Sequence, residues 1–266
     1  MLHKYVVFDL DETLGYFVEI NIFIQVLFKI MDITVINQNE FNQILMLYIE
    51  IFRPGIFSIL SYIKHAKLKN KNLKVVIYSN NQISKEWVLM ICNFINFKLN
   101  TTNFFDNIIT AYKIDDKLLE ICRSSNHKTI NDLKKCICSP INSKYLFIDD
   151  QNHSNMNNIN VKYIIIEPYI NSIGYNKMIN KFIKSEIYDN LSSEFNKSDI
   201  KNRFLMEISG YEDIFINNHN NNICIHKKIS KYIMFALIKF CKVKNKTTKS
   251  NSKRIQSNKT KKNTNN

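Results

Sequence analysis

The amino-acid sequence predicts an α/β fold built on a central parallel sheet, and three observations carry that prediction. Short apolar runs recur along the chain at Tyr5 to Phe8, Lys74 to Tyr78, Phe105 to Thr110, Lys144 to Ile148 and Val161 to Ile166. Several of them are continuous rather than alternating, as strands buried on both faces must be. Segments of helical periodicity separate most of them, the pattern of β-α-β units. Glycine and proline are scarce, at 4 and 3 residues, so the body is regular structure with few tight turns. Together these features describe a Rossmann-like three-layer sandwich over residues 1–170.

The first strand ends at Asp9. Two helices, over 17–32 and 40–51, follow as a small helical insert or cap (17–52). On the first helix Asn21, Gln25, Lys29 and Asp32 recur every three or four residues along one stripe, so it is amphipathic. Glu19, Lys29 and Asp32 argue against a membrane span there. Arg53-Pro54-Gly55 breaks the pattern before a helix at 56–67, whose Ile56, Ile59, Leu60 and Ile63 share one face. The second strand ends at Ser79-Asn80-Asn81, and Ser84 caps a helix at 85–96. The third strand, a helix at about 129–138, and the fourth strand follow, the last ending in Asp149-Asp150. Glu167-Pro168 stops the fifth strand. Residues 171–241 read as a mainly helical C-terminal extension.

A chain of 266 residues, 45% hydrophobic, holds one core of about 150–200 residues and an appendage. Nine basic residues and no acid lie between Lys242 and Asn266, so most of the net charge of +14 sits there. That segment, 242–266, has almost nothing apolar to bury and is expected to be a disordered basic tail. It suits contact with nucleic acid, an acidic protein or a localisation receptor, or plain solvation. The six cysteines lack zinc spacing, and Cys136 and Cys138 read as two free thiols near a helix end. Met1 leads straight into a strand, without a signal peptide. The expected setting is intracellular, cytoplasmic or nuclear, with no membrane partner.

Ligands of parallel α/β sheets bind outside the carboxyl ends of the strands. Three such ends carry polar groups here: Asp9-Leu10-Asp11-Glu12-Thr13, Ser79-Asn80 and Asp149-Asp150. Several carboxylates at one edge repel each other unless a cation sits among them. Hard oxygen ligands beside a phosphorylated substrate point to Mg²⁺. A carboxylate can attack phosphorus directly, with a metal and a lysine neutralising the phosphoryl oxygens.

These residues resemble a known family. VVFDLDETL is similar to the first motif of haloacid-dehalogenase-type phosphatases, a strand followed by DxDxT. IYSN resembles the second motif, Lys128 before its helix fits the third, and LFIDD resembles the fourth. FDLDETL and the later FRPG are similar to the subgroup of RNA polymerase II carboxy-terminal-domain phosphatases, the NLI-interacting-factor-like group. The resemblance implies a Mg²⁺-dependent phosphomonoesterase acting on phosphoserine or phosphothreonine in protein. By the same resemblance Asp9 is the nucleophile and Asp11 the general acid and base. Asp9, the Asp11 carbonyl and Asp149 bind Mg²⁺, and Asp150 holds its water shell or orients Lys128. Thr13 braces the loop, while Ser79, the Asn80 amide and Lys128 hold the phosphoryl group.

Lys113, Lys117 and Lys134 compete with Lys128 in this lysine-rich chain. Arg123 is near enough to contact substrate but reads first as a surface arginine; His153 is placed to sit at the cleft mouth or pair with an acid but reads first as a polar loop residue; Trp87 reads as packing. The alternative functions are a nucleotide, sugar-phosphate or polynucleotide-end phosphatase, and a non-catalytic phospho-binding module.

Overall fold

The computed structural model describes residues 2–191, 196–214 and 222–242. The strands are β1 (Lys4–Phe8), β2 (Leu73–Tyr78), β3 (Asn107–Ile109), β4 (Lys113–Ile114), β5 (Lys117–Leu118), β6 (Lys144–Asp149) and β7 (Val161–Ile165). Five of them form a parallel sheet in the order β3-β2-β1-β6-β7, and β4 and β5 pair as a separate two-residue hairpin that the sequence pattern did not announce. The helices are α1 (Val18–Ile30), α2 (Gln38–Leu47), α3 (Ile56–Lys69), α4 (Lys85–Lys98), α5 (Ile130–Cys136), α6 (Tyr175–Phe182), α7 (Glu186–Leu191), α8 (Lys197–Ile208) and α9 (Ile223–Cys241).

Side chains alternate across a strand, so each strand feeds both faces of the sheet. Val6, Phe8, Val75, Ile77, Leu146 and Ile148 enter the larger core, shared with α1 to α4 and the C-terminal helices. Tyr5, Val7, Val76, Tyr78, Tyr145 and Phe147 enter a smaller core on the other face, under Ile130, Leu133 and Ile137. The molecule is therefore α/β, a parallel sheet with helices on both faces. Among the described residues no helix is long and apolar enough to cross a membrane. The expected disordered segment lies outside the described residues, except for Lys242.

The insert and the extension are built into the larger core. Phe23 of α1 meets the rings of Tyr48, Phe182 and Phe204, with centroids 5.4, 6.0 and 5.1 Å away. Glu19 of α1 is buried and accepts from Ser172 Oγ and the amides of Ile173 and Gly174, at 2.7–2.9 Å, just ahead of α6. The expected polar stripe on α1 is split: Asn21 is buried, and Lys29 pairs with Glu207 of α8.

Element boundaries shift for identifiable reasons. α2 starts at Gln38 because Asn37 and Glu40 form a reciprocal capping box. It stops at Leu47 because Tyr48 is drawn into the core, its hydroxyl donating to the Met178 carbonyl at 2.7 Å; a 3-10 turn at Ile49–Ile51 follows. β3 is shorter than the apolar run. The Asp106 carboxylate takes the Val75 amide and both Lys67 and Lys74, and Thr110 turns to Glu120. Gly55 opens α3 at φ 84°, a left-handed conformation that favours glycine.

Candidate active site

The strand register assembles the site. Phe8 is level with Ile148, and the Asp9 amide donates to the Ile148 carbonyl at 3.0 Å, so Asp9 and Asp149 stand side by side. Both continue the odd-numbered series that faces α5. The Thr129 hydroxyl caps α5 by accepting the Asp132 amide, and the Thr129 amide donates to the Tyr78 hydroxyl at 3.1 Å. That double anchorage fixes Lys128, the preceding residue. Its ammonium reaches Asp9 Oδ1 at 2.5 Å and Asp149 Oδ2 at 2.7 Å, and all three residues are buried. Lys113 and Lys117 lie on the β4–β5 hairpin, and Lys134 lies within α5.

Burial pushes the Asp9 carboxyl up to about 8, against the pull of Lys128 and with the neighbouring Asp149 and Asp11 adding to the rise. Burial works against ionisation at Asp149 too, but His153, Lys128 and the Gln151 amide together hold it below the usual carboxylate range. Burial would lower Lys128, yet the two carboxylates keep it above the ordinary lysine value. Asp11 is raised by burial, opposed by its hydrogen bond from Asn81.

The remaining expected residues form a chain around this centre. Thr13 donates its hydroxyl to Asp150 Oδ1 at 2.9 Å and accepts the Asp150 amide at 3.1 Å, so it braces the acidic loop from inside. Asp150 thus pairs with Thr13, while Lys128 is oriented by Asp9 and Asp149. The Asp11 side chain turns to Asn81 Nδ2, at 2.9 Å, and its other oxygen is buried without a hydrogen-bond partner among the described residues. Ser79 is fully buried; its Oγ accepts the Asn81 amide at 3.0 Å, which leaves the hydroxyl proton free to donate.

One carboxylate oxygen each from Asp9, Asp149 and Asp150 lies within 4.8 Å of the others. Two of the three carboxylates pair with the Lys128 ammonium, the third is held by Thr13, and all donors are oxygen. The chemistry and the charge of that set fit a hard divalent cation such as Mg²⁺. The Asp11 side chain stands apart from this group.

Several supporting residues escape a reading of the sequence. Arg53, in FRPG, is buried and donates to the carbonyls of Thr13 at 2.7 Å and Glu167 at 2.8 Å, stitching the DxDxT loop to the end of β7. It also meets His226 Nδ1 of α9 at 2.8 Å; because guanidinium only donates, that nitrogen is the acceptor. Gly15 is packed so tightly that an added Cβ would come within 2.7 Å of the Phe17 ring and 2.8 Å of the Ile51 carbonyl. His153, expected as a bystander, brings Nε2 to 3.5 Å from Asp149 Oδ2.

Two expectations are corrected. Arg123 is no surface residue: it is 3% exposed, donating to the Ser79 and Thr110 carbonyls and to Asn80 Oδ1 at 2.7–3.0 Å. Cys136 is not a free thiol, because it is bonded to Cys122, and Cys138 alone of the expected pair is free. Closing the helix end onto the preceding loop brings the two sulfurs together, a pairing that sequence spacing does not signal. Set against family models, curated proteins and solved structures, the chain matches none.

Proposed function

We propose that the chain is a Mg²⁺-dependent phosphomonoesterase of the haloacid-dehalogenase type, working through an aspartyl-phosphate on Asp9. The observation that supports this most is the buried Lys128 ammonium held between Asp9 and Asp149. Three separate segments converge there, at the sheet edge where ligands of parallel folds bind. A nucleophile that must approach a phosphoryl dianion needs such a cation beside it. The unpartnered buried oxygen of Asp11 is a further mark of a working site, since structural ion clusters satisfy their buried groups.

In this reading an Asp9 oxygen bonds to phosphorus as the ester P–O bond breaks, and Asp11 gives its proton to the leaving oxygen. Water then gives a proton to the Asp11 carboxylate, and its oxygen displaces Asp9 from phosphorus, releasing inorganic phosphate. Burial suits Asp11 to the acid role, because it favours the protonated form. The Ser79 hydroxyl, the Asn80 amide and Lys128 hold the phosphoryl oxygens. Asp9, Asp149 and Asp150, with the Asp11 carbonyl, would hold Mg²⁺, which neutralises phosphoryl charge when bound.

Phosphoserine or phosphothreonine in protein is the substrate class that the FDLDETL and FRPG resemblance supports. Turnover of an aryl phosphate with and without Mg²⁺ tests the reaction, and phosphopeptides against nucleotides test the class. Asp9→Asn should remove at least about a thousandfold of kcat with the fold intact. Undiminished turnover in that variant would overturn the assignment.

A further inference from the structure

Arg123 sits in the loop before Lys128, and the reading of the site as a phosphatase leaves it without a role. Its Nη1 donates to the Ser79 carbonyl at 3.0 Å and the Thr110 carbonyl at 2.7 Å. Its Nη2 donates to Asn80 Oδ1 at 2.7 Å and the Asn126 carbonyl at 3.2 Å. The guanidinium also lies over the Tyr78 ring, 4.9 Å from its centroid. Three of these four bonds leave the loop that carries Arg123, two of them for the Ser79-Asn80 turn after β2, and among the described residues the buried Nε has no hydrogen-bond partner. A buried arginine is costly to desolvate, and a merely structural loop can be held by neutral bonds.

The geometry of the peptide unit says what Arg123 does. No peptide bond in the described residues is cis. In a planar trans peptide the carbonyl and the next N–H point in opposite directions. Fixing the Ser79 carbonyl therefore fixes the Asn80 amide, and the bond to Asn80 Oδ1 pins the same residue a second time. The Cys122–Cys136 bond closes a segment that starts beside Arg123, contains Lys128 and ends with α5. Arg123 and Lys128 thus lie in one covalently closed loop. We propose that Arg123 is the positioning residue of the phosphate clamp: it sets Ser79 and the Asn80 amide, and the Cys122–Cys136 bond holds it in place. This rests on the phosphatase reading for what the clamp binds. Lysine cannot replace it, because a single ammonium cannot span carbonyls and an amide oxygen that arginine meets from two nitrogens.

The test uses the full chain with inorganic phosphate and Mg²⁺ as separate probes. Arg123→Gln should weaken inhibition by phosphate about tenfold or more and lower kcat/KM by about 100-fold, with Mg²⁺ affinity unchanged. Arg123→Lys should fail to rescue either quantity. C122S/C136S, or two-electron reduction of the bond by a dithiol with both sulfurs taking up protons, should move phosphate inhibition the same way by a smaller factor. That arm decides the matter if Arg123→Gln does not fold. Equal losses of phosphate and Mg²⁺ binding, or no loss of either, would overturn the proposal. If the wild-type chain hydrolyses no phosphomonoester, the phosphatase reading falls on its own. Amide exchange at Asn80 and Asn81 then decides the positioning claim: faster exchange in Arg123→Gln supports it, and unchanged exchange overturns it.

Discussion

At Asp9 two forces oppose each other: burial favours the neutral acid, and Lys128 favours the carboxylate. Burial wins, pushing the carboxyl up to about 8. An acid raised in the folded state contributes stability at low pH, and that contribution fades as pH rises through about 8. Asp149, held low, has the opposite sign and matters only in acid. A cation bound by Asp9 must displace its proton, so binding strengthens with pH until Asp9 is ionised. Mg²⁺ should therefore raise the melting temperature more at about pH 9 than at about pH 6, and Asp9→Asn should abolish the difference. Equal shifts at both pH values would show that Asp9 is not a ligand. The residue scale is also where the sequence was most and least informative. Asp9, Ser79 and Asp149 end apolar strands, and that position was readable. Arg123 and Asn81 were not, because their partners lie 43 and 70 residues away and leave no local pattern. Lys128 stood out from its rivals by its place just before a helix, and the anchorage of Thr129 to Tyr78 gives that place its physical basis.

Elements that sequence marks as separate are joined by buried polar groups. Glu19 shows how: a carboxylate inside an apolar helix accepts three hydrogen bonds ahead of α6 and couples the insert to the extension. Charged-acceptor bonds are worth more than neutral ones, and their loss strands buried donors. Glu19→Ala should cost about 2–3 kcal/mol in denaturant unfolding. A cost below about 0.5 kcal/mol would mean that the carboxylate is solvated instead. In sequence Glu19 read only as a reason against a membrane span. The strands and most helices were legible, since apolar runs and caps are local. Their ends were not, because Asp106, Tyr48 and Glu120 answer to partners in other elements.

Across the whole molecule the parallel sheet was legible and its completion was not. The sequence divided the chain into a domain, an insert and an extension. Yet Phe23, Phe182 and Phe204 belong to one larger core, so the helices of 175–208 help to close the sheet face opposite the one that meets α5. What the fold delivers is an edge where a buried lysine, four acids and a serine-bearing loop converge. The measurement that tests this account most directly is mass spectrometry of the full chain quenched in acid during turnover of an aryl phosphate with Mg²⁺. The account predicts a phosphoryl adduct on the peptide containing Asp9, lost in Asp9→Asn. Turnover with the adduct on another residue, or with no adduct under conditions where breakdown is rate-limiting, would contradict it.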